Sequence, residues 1–137
     1  MPTAATRPKG APQVMPYLYY ADAAAALTFL IDAFGFTEIH TIRDDQGNVF
    51  HAQLSTGDSG VVMIGPGMTE FGTRAIAEGE TATKRIFVYL DDVDAHFEHS
   101  RASGAEVVVE PADQGPNRIH IARDCGGHEW IFAKALT

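Results

Sequence analysis

Polar and aromatic side chains alternate with aliphatic ones in several short apolar runs. Tyr17 and Tyr19 flank Leu18, and His51 and Gln53 flank Ala52. Arg85, Phe87 and Tyr89 alternate with Ile86 and Val88, His120 lies between Ile119 and Ile121, and Glu129 precedes Trp130. Successive strand side chains point to opposite faces. The alternation therefore predicts one surface carrying Tyr17, Tyr19, His51, Gln53, Arg85, Phe87, Tyr89, His120 and Glu129. Tyrosine and phenylalanine rings stack on flat or cationic molecules, with Gln53 and Glu129 as polar contacts. His51 or His120 would serve as a general base near neutral pH, with Arg85 polarising an oxyanion, for isomerisation or elimination beside a carbonyl. His51, His120 and Glu129 together would suit a zinc-like centre, since two nitrogens and a carboxylate form a familiar ligand set. Polar groups among aromatics on a concave surface are the usual make-up of a small-molecule site. The same residues as plain core would need every charge paired.

Two further features are weighed and set aside. His96 and His99 stand at i, i+3 on a predicted helix, a spacing open to a metal, but no carboxylate frame surrounds them and they read as a solvated face. Cys125, the single cysteine, excludes an internal disulfide and reads as an inert thiol in a turn.

The elements that must position these residues occur twice. Residues 17–35 read as an apolar strand, an acidic cap, a helix and a glycine, and residues 87–104 repeat that order at an offset of about 70 positions, Asp22 matching Asp92. Fixed-period self-similarity sets architecture before any motif does. Module one, 14–65, has a strand at 14–20, then Asp22 capping a helix whose Leu27, Leu30, Ile31 and Phe34 make one buried stripe up to Gly35. Strands at 36–43, 49–55 and 60–65 follow. A linker at 66–83 is read as a mobile segment or a lid, with Met68 and Phe71 available to close over a ligand. Module two, 84–134, has a strand at 84–90, a helix from Asp91 or Asp92 to about Ser103, and strands at 106–110, 117–123 and 128–134. Its turns are PADQGPN (111–117) and DCGG (124–127).

Strand faces are assigned from alternation. Phe50, Ala52, Leu54, Ile119 and Ile121 are expected to be buried. Val61, Met63, Trp130 and Phe132 are placed under the helices, and Val62, Ile64, Ile131 and Ala133 opposite.

At 137 residues the chain makes one domain of two half-domains, preceded by a loose arm at 1–13. Net charge is −8, which argues against nucleic-acid binding. No stretch is apolar enough to span a bilayer, and the start lacks the apolar segment of a secretory signal. A cytoplasmic location is expected.

The paired βαβββ units, the run VYLDDVDAHFEHSRASGAEVVVEP and the closing RDCGGHEWIFA resemble the vicinal oxygen chelate superfamily. This group includes glyoxalase I, extradiol dioxygenases, fosfomycin-resistance enzymes and bleomycin-resistance proteins. The resemblance covers about residues 14–134. It implies an α+β fold of two tandem βαβββ modules whose curved mixed sheet surrounds a cup, and a homodimer. It places the family's metal ligands at Met15, Val62, Arg85 and Ile131, none of which suits a cation. The expectation is a metal-free groove, with no cofactor, that binds a small, partly aromatic molecule, as a resistance or sequestering protein. A metal-independent isomerase or lyase, or a metalloenzyme with relocated ligands, is the alternative.

Overall fold

The structure is a computed structural model and describes residues 5–137. Part of the predicted N-terminal arm, residues 1–4, lies outside the described residues. Module one runs β1 (Tyr17–Tyr19), α1 (Ala23–Phe34), β2 (Thr37–Arg43), β3 (Val49–Ser55), β4 (Val61–Gly65). Module two runs β5 (Arg85–Tyr89), α2 (Val93–Ala102), β6 (Glu106–Gln114), β7 (Asn117–Arg123), β8 (Glu129–Ala135). Each module makes its own four-stranded mixed sheet, ordered β1-β4-β3-β2 and β5-β8-β7-β6. In both, the first strand pairs parallel to the last and the other pairs are antiparallel. The α+β paired-module architecture is the expected one. No helix among the described residues is long and apolar enough to cross a membrane.

Local chemistry places the helix ends. Asp22 accepts from Ala25 N–H and Asp92 from Ala95 N–H, both at 3.0 Å, satisfying first-turn donors that have no partner within their helix. Gly35 closes α1 at φ 77°, a left-handed conformation that a side chain disfavours.

The two modules share one core. Leu27, Leu30 and Phe34 of α1 pack with Ala52, Leu54, Val62 and Ile64 of their own sheet and with Trp130 and Phe132 of the other. The Phe34 ring meets Phe132 at 4.9 Å and Trp130 at 5.7 Å, edge to face. Polar side chains of α2 clasp the end of α1. His96 Nε2 donates to Phe34 O (3.0 Å), His99 Nε2 to Asp32 O (2.6 Å) and Ser100 Oγ to Ala33 O (3.0 Å). These are carbonyls that a helix end leaves without an internal partner. Both rings therefore reach α1: His96 is half-buried rather than on the expected solvated face, while His99 remains exposed.

The closing turn is a second clasp. Asp124, buried, accepts from Gly126 N–H and His128 N–H on Oδ1 and from Tyr20 O–H (2.6 Å) and Trp130 Nε1–H (2.9 Å) on Oδ2. His128 Nε2 donates to Tyr19 O at 2.9 Å. Gly126 lies against the Tyr20 ring, so close that a Cβ there would stand 2.3 Å from it. The Asp-x-x-Gly-His-x-Trp segment is thus the joint between the end of β1 and the start of β8.

Several face assignments need correction. Val62 and Ile64 lie in the core beneath the helices, while Val61 and Met63 turn the other way, since Met63 stands beside Tyr17 and Gln53 across the ladder. Phe50 is exposed and Val49 buried, because a ladder irregularity at Ile42/Arg43 shifts the phase where β3 begins. Pro111–Gln114, read as turn, continue β6 past two further irregularities.

Candidate groove and its residues

The face of each sheet turned away from the helices carries the candidate residues. In the first sheet Tyr17 and Tyr19 stack with centroids 5.0 Å apart and planes at 28°. Tyr17 Oη lies 3.0 Å from His51 Nδ1, and His51 Nε2 lies 3.2 Å from Gln53 Nε2. Gly65 makes this reach possible. A Cβ there would sit 2.7 Å from Tyr17 Oη and 2.8 Å from Phe50 O. Tyr17 therefore lies over a bare strip of β4. Gly65→Ala is expected to destabilise the fold by about 1–3 kcal/mol, because a backbone oxygen must yield as well as a side chain. A fall in thermal midpoint of several degrees would show it.

In the second sheet Phe87 and Tyr89 meet edge to face at 5.1 Å. Beside them Ile119, Ile121 and Ala133 form a small apolar cluster of their own with Val109 and Ile131. One end of this face is an ion-pair ladder across four strands. Glu106 pairs with Arg123, Arg123 donates to Glu129 (2.7 Å) and Arg85 donates to Glu129 (2.8 Å). Glu129 is only 5% exposed. The Arg123 guanidinium, and then that of Arg85, hold its carboxyl below the usual range. The ladder alternates in sign, so Arg85 and Glu129 neutralise each other and leave the aromatic rings to set the character of the groove.

Tyr17, Tyr19, His51 and Gln53 thus come together on one sheet, and Arg85, Phe87, Tyr89 and Glu129 on the other. His120 joins neither group. It stands opposite Phe132 across the ladder, 1% exposed, beneath α2. Its ring is stacked on Phe132 and lies 2.9 Å, Nε2 to Nδ1, from His96. His51, His120 and Glu129 consequently lie on three different surfaces and make no joint metal or acid–base centre. Among the described residues no group of three or more His, Cys, Asp or Glu is arranged to hold a metal. Nor do the positions implied by the family resemblance fit one, for Val62 is in the core and Arg85 is a cation engaged with Glu129.

The linker forms a wall. Arg74 grips Glu80 through both guanidinium nitrogens at 2.7 and 3.1 Å, and Ala77 N–H donates to Glu80 as well. This strap separates two clefts. One, about 520 Å³, is lined by Tyr17, Tyr19, Arg74, Lys84, His128 and Glu129 among others. The other, about 720 Å³, includes Tyr20, Asp22, Arg123 and Cys125. Phe71, expected as a lid, is 74% exposed and lines neither cleft. The Cys125 thiol is pushed up to about 11, chiefly by desolvation, so little of it is thiolate at neutral pH. Sequence reading missed Gly65 and Met63 as groove residues. The Tyr17 hydroxyl reaches over Gly65, which lies opposite Tyr19 on β4, and a contact between residues so far apart in sequence gives no local signal.

A paired βαβββ frame with an open aromatic face on each sheet defines a class, and the chain belongs to the glyoxalase/bleomycin resistance protein/dioxygenase superfamily, whose model matches residues 11–132. Among solved structures it is similar to TioX from Micromonospora sp. ML1, with 34% identity over 91% of this chain and 99% of that one, at a TM-score of 0.73. The fold is also that of TnmS3, an antibiotic binding protein from Streptomyces sp. CB03234, at 16% identity over 88% of this chain and 93% of that one, TM-score 0.68. An uncharacterised protein of Mycobacterium bovis is 28% identical over 128 residues, covering 91% of this chain and 84% of its own.

Proposed function

We propose that the protein binds a small, partly aromatic organic molecule in a groove that uses no metal, and sequesters it. The observation that carries this reading is the stacked Tyr17–Tyr19 pair on an open sheet face beside Met63 and the bare strip at Gly65. Such a surface offers a large apolar area at small conformational cost. TnmS3, which shares the fold, is an antibiotic binding protein, and this is in keeping with the reading. Phe87 and Tyr89 are 46% and 63% exposed, too open for a pocket within one chain. This favours a homodimer in which each groove is completed by a second copy.

Calorimetric titration against a panel of flat aromatic metabolites and antibiotics tests the proposal. Micromolar binding to at least one class is expected. Tyr19→Ala and Phe87→Ala should each weaken it about tenfold or more, the loss of one stacking contact. No binding by any flat aromatic compound overturns the reading. A second reading has its own observation: His51 bonded to a phenol resembles an acid–base pair, and burial, then His40, holds its pKa below the ordinary value, leaving it neutral. Mass spectrometry of the recovered ligand separates the two. Unchanged compound means sequestration, and a shifted double bond or an eliminated group means catalysis through His51.

A further inference from the structure

We infer that Tyr17 is the hydrogen-bond donor of the groove, its proton turned outward by the His51–Gln53 chain, and that the ligand is a flat ring system bearing a carbonyl-type acceptor. The inference rests on the aromatic groove proposed above and adds the one polar feature the ligand must have.

The argument follows the protons. The Gln53 amide nitrogen, 3.2 Å from His51 Nε2, can only donate. His51 Nε2 is therefore an acceptor, and the single proton of a neutral imidazole sits on Nδ1. That proton is donated to Tyr17 Oη at 3.0 Å. Tyr17 then accepts from within the chain, and among the described residues its own O–H meets no other partner within hydrogen-bond distance. The phenol also stays protonated, because burial and the neighbouring Tyr19 raise its pKa. Gly65 leaves room for the hydroxyl, since any side chain there would occupy the space beneath it.

Its surroundings decide what it can bind. The stacked Tyr19, with Met63 and Ile42 on the same face, makes most of the surface around Tyr17 apolar, while His40 stands opposite Gln53 beside His51. The ion-pair ladder on the other sheet is internally neutralised. An outward O–H in largely apolar and aromatic surroundings selects a molecule with a large ring surface and an acceptor at its edge. A ligand lacking the acceptor strips water from that O–H and gives nothing back.

The probes are 9-fluorenone-2-carboxylate and fluorene-2-carboxylate, which differ only in a ring carbonyl against a methylene. Calorimetry on the full chain is expected to give about tenfold tighter binding of the ketone, the worth of one hydrogen bond in a dry site. Tyr17→Phe should bring that ratio to about one, weakening the ketone and tightening fluorene-2-carboxylate, which no longer strips water from the O–H. The position is exposed enough for this variant to fold. His51→Leu, which frees the hydroxyl to rotate, should lower the ratio without erasing it. Were the Gln53 amide turned over, Tyr17 would donate to His51 instead and the ratio would be near one in the wild type. Equal affinity for the two acids, or a ratio that survives Tyr17→Phe, overturns the inference while the aromatic groove stands. Failure of both acids to bind overturns this inference, and the groove reading falls with it only where no flat aromatic compound of the panel binds either.

Discussion

Asp124→Ala is expected to lower unfolding free energy by about 3–5 kcal/mol, since the donors around this buried carboxylate lose their acceptor at about 1 kcal/mol each. A domain this size holds only about 5–15 kcal/mol in total, so the variant would sit near the edge of folding. The cause is a count of donors. Two backbone N–H groups, the Tyr20 O–H and the Trp130 indole N–H all converge on this carboxylate. Asn at the same place is not a repair. Its amide keeps one accepting oxygen and turns an NH2 toward one pair of donors, so about 2 kcal/mol or more should still be lost. Tyr20→Phe removes a single donor and is expected to lose only about 1 kcal/mol. Urea unfolding followed by Trp130 fluorescence reads all three. Equal effects of Asp124→Ala and Tyr20→Phe would contradict this account of the turn.

Acidification should weaken the protein between about pH 6.5 and 4, and His120 is the main reason. Its Nε2–H donates to His96 Nδ1, because His96 Nε2 already donates to Phe34 O. His120 Nδ1 is left without a partner. A proton added there would sit among Phe97 and Phe132, with His96 close by. Burial, then the neighbouring His96, pushes its pKa down to about 4 from the ordinary 6.5. Asp94 pulls the other way but is engaged by Arg118. A depressed imidazole pKa means the unfolded chain takes up the proton first. Its contribution is therefore intact above pH 6.5 and is lost as pH falls toward 4, by about 3 kcal/mol. The pKa of His96 is lowered for the same chief reason and adds to the same window. His120→Phe should flatten the decline when urea midpoints at pH 7.5 and 4.5 are compared. An unchanged slope would place the acid sensitivity elsewhere.

Much of the fold could be read directly. The helix caps at Asp22 and Asp92, the stop at Gly35 and the repeat itself are local chemistry, and each lies where the residues put it. Sidedness was legible only where a strand mixes residue types. The phase of β1 and β5 is plain from tyrosine, phenylalanine and arginine among aliphatics. β4 offers only apolar residues, so nothing marked Val62 and Ile64 as the buried pair. β7 misled for another reason. Ile119 and Ile121 are buried, but under their own small cluster on the groove face, which puts His120 beneath α2. The rule that aliphatic means helix-side fails when both faces of a sheet are partly dry. The His96–His120 contact spans 24 positions and two elements, and no spacing pattern announces it.

The hand-off from α2 to the last carbonyls of α1 makes the two repeats unequal partners. At the repeat offset of about 70, His96, His99 and Ser100 correspond to Ala26, Phe29 and Leu30, so the gift cannot be returned. A hybrid gene encoding the first half twice would keep the strand order yet leave one helix terminus thirsty and the other with no tether. The halves are complementary rather than interchangeable, a lock and its key.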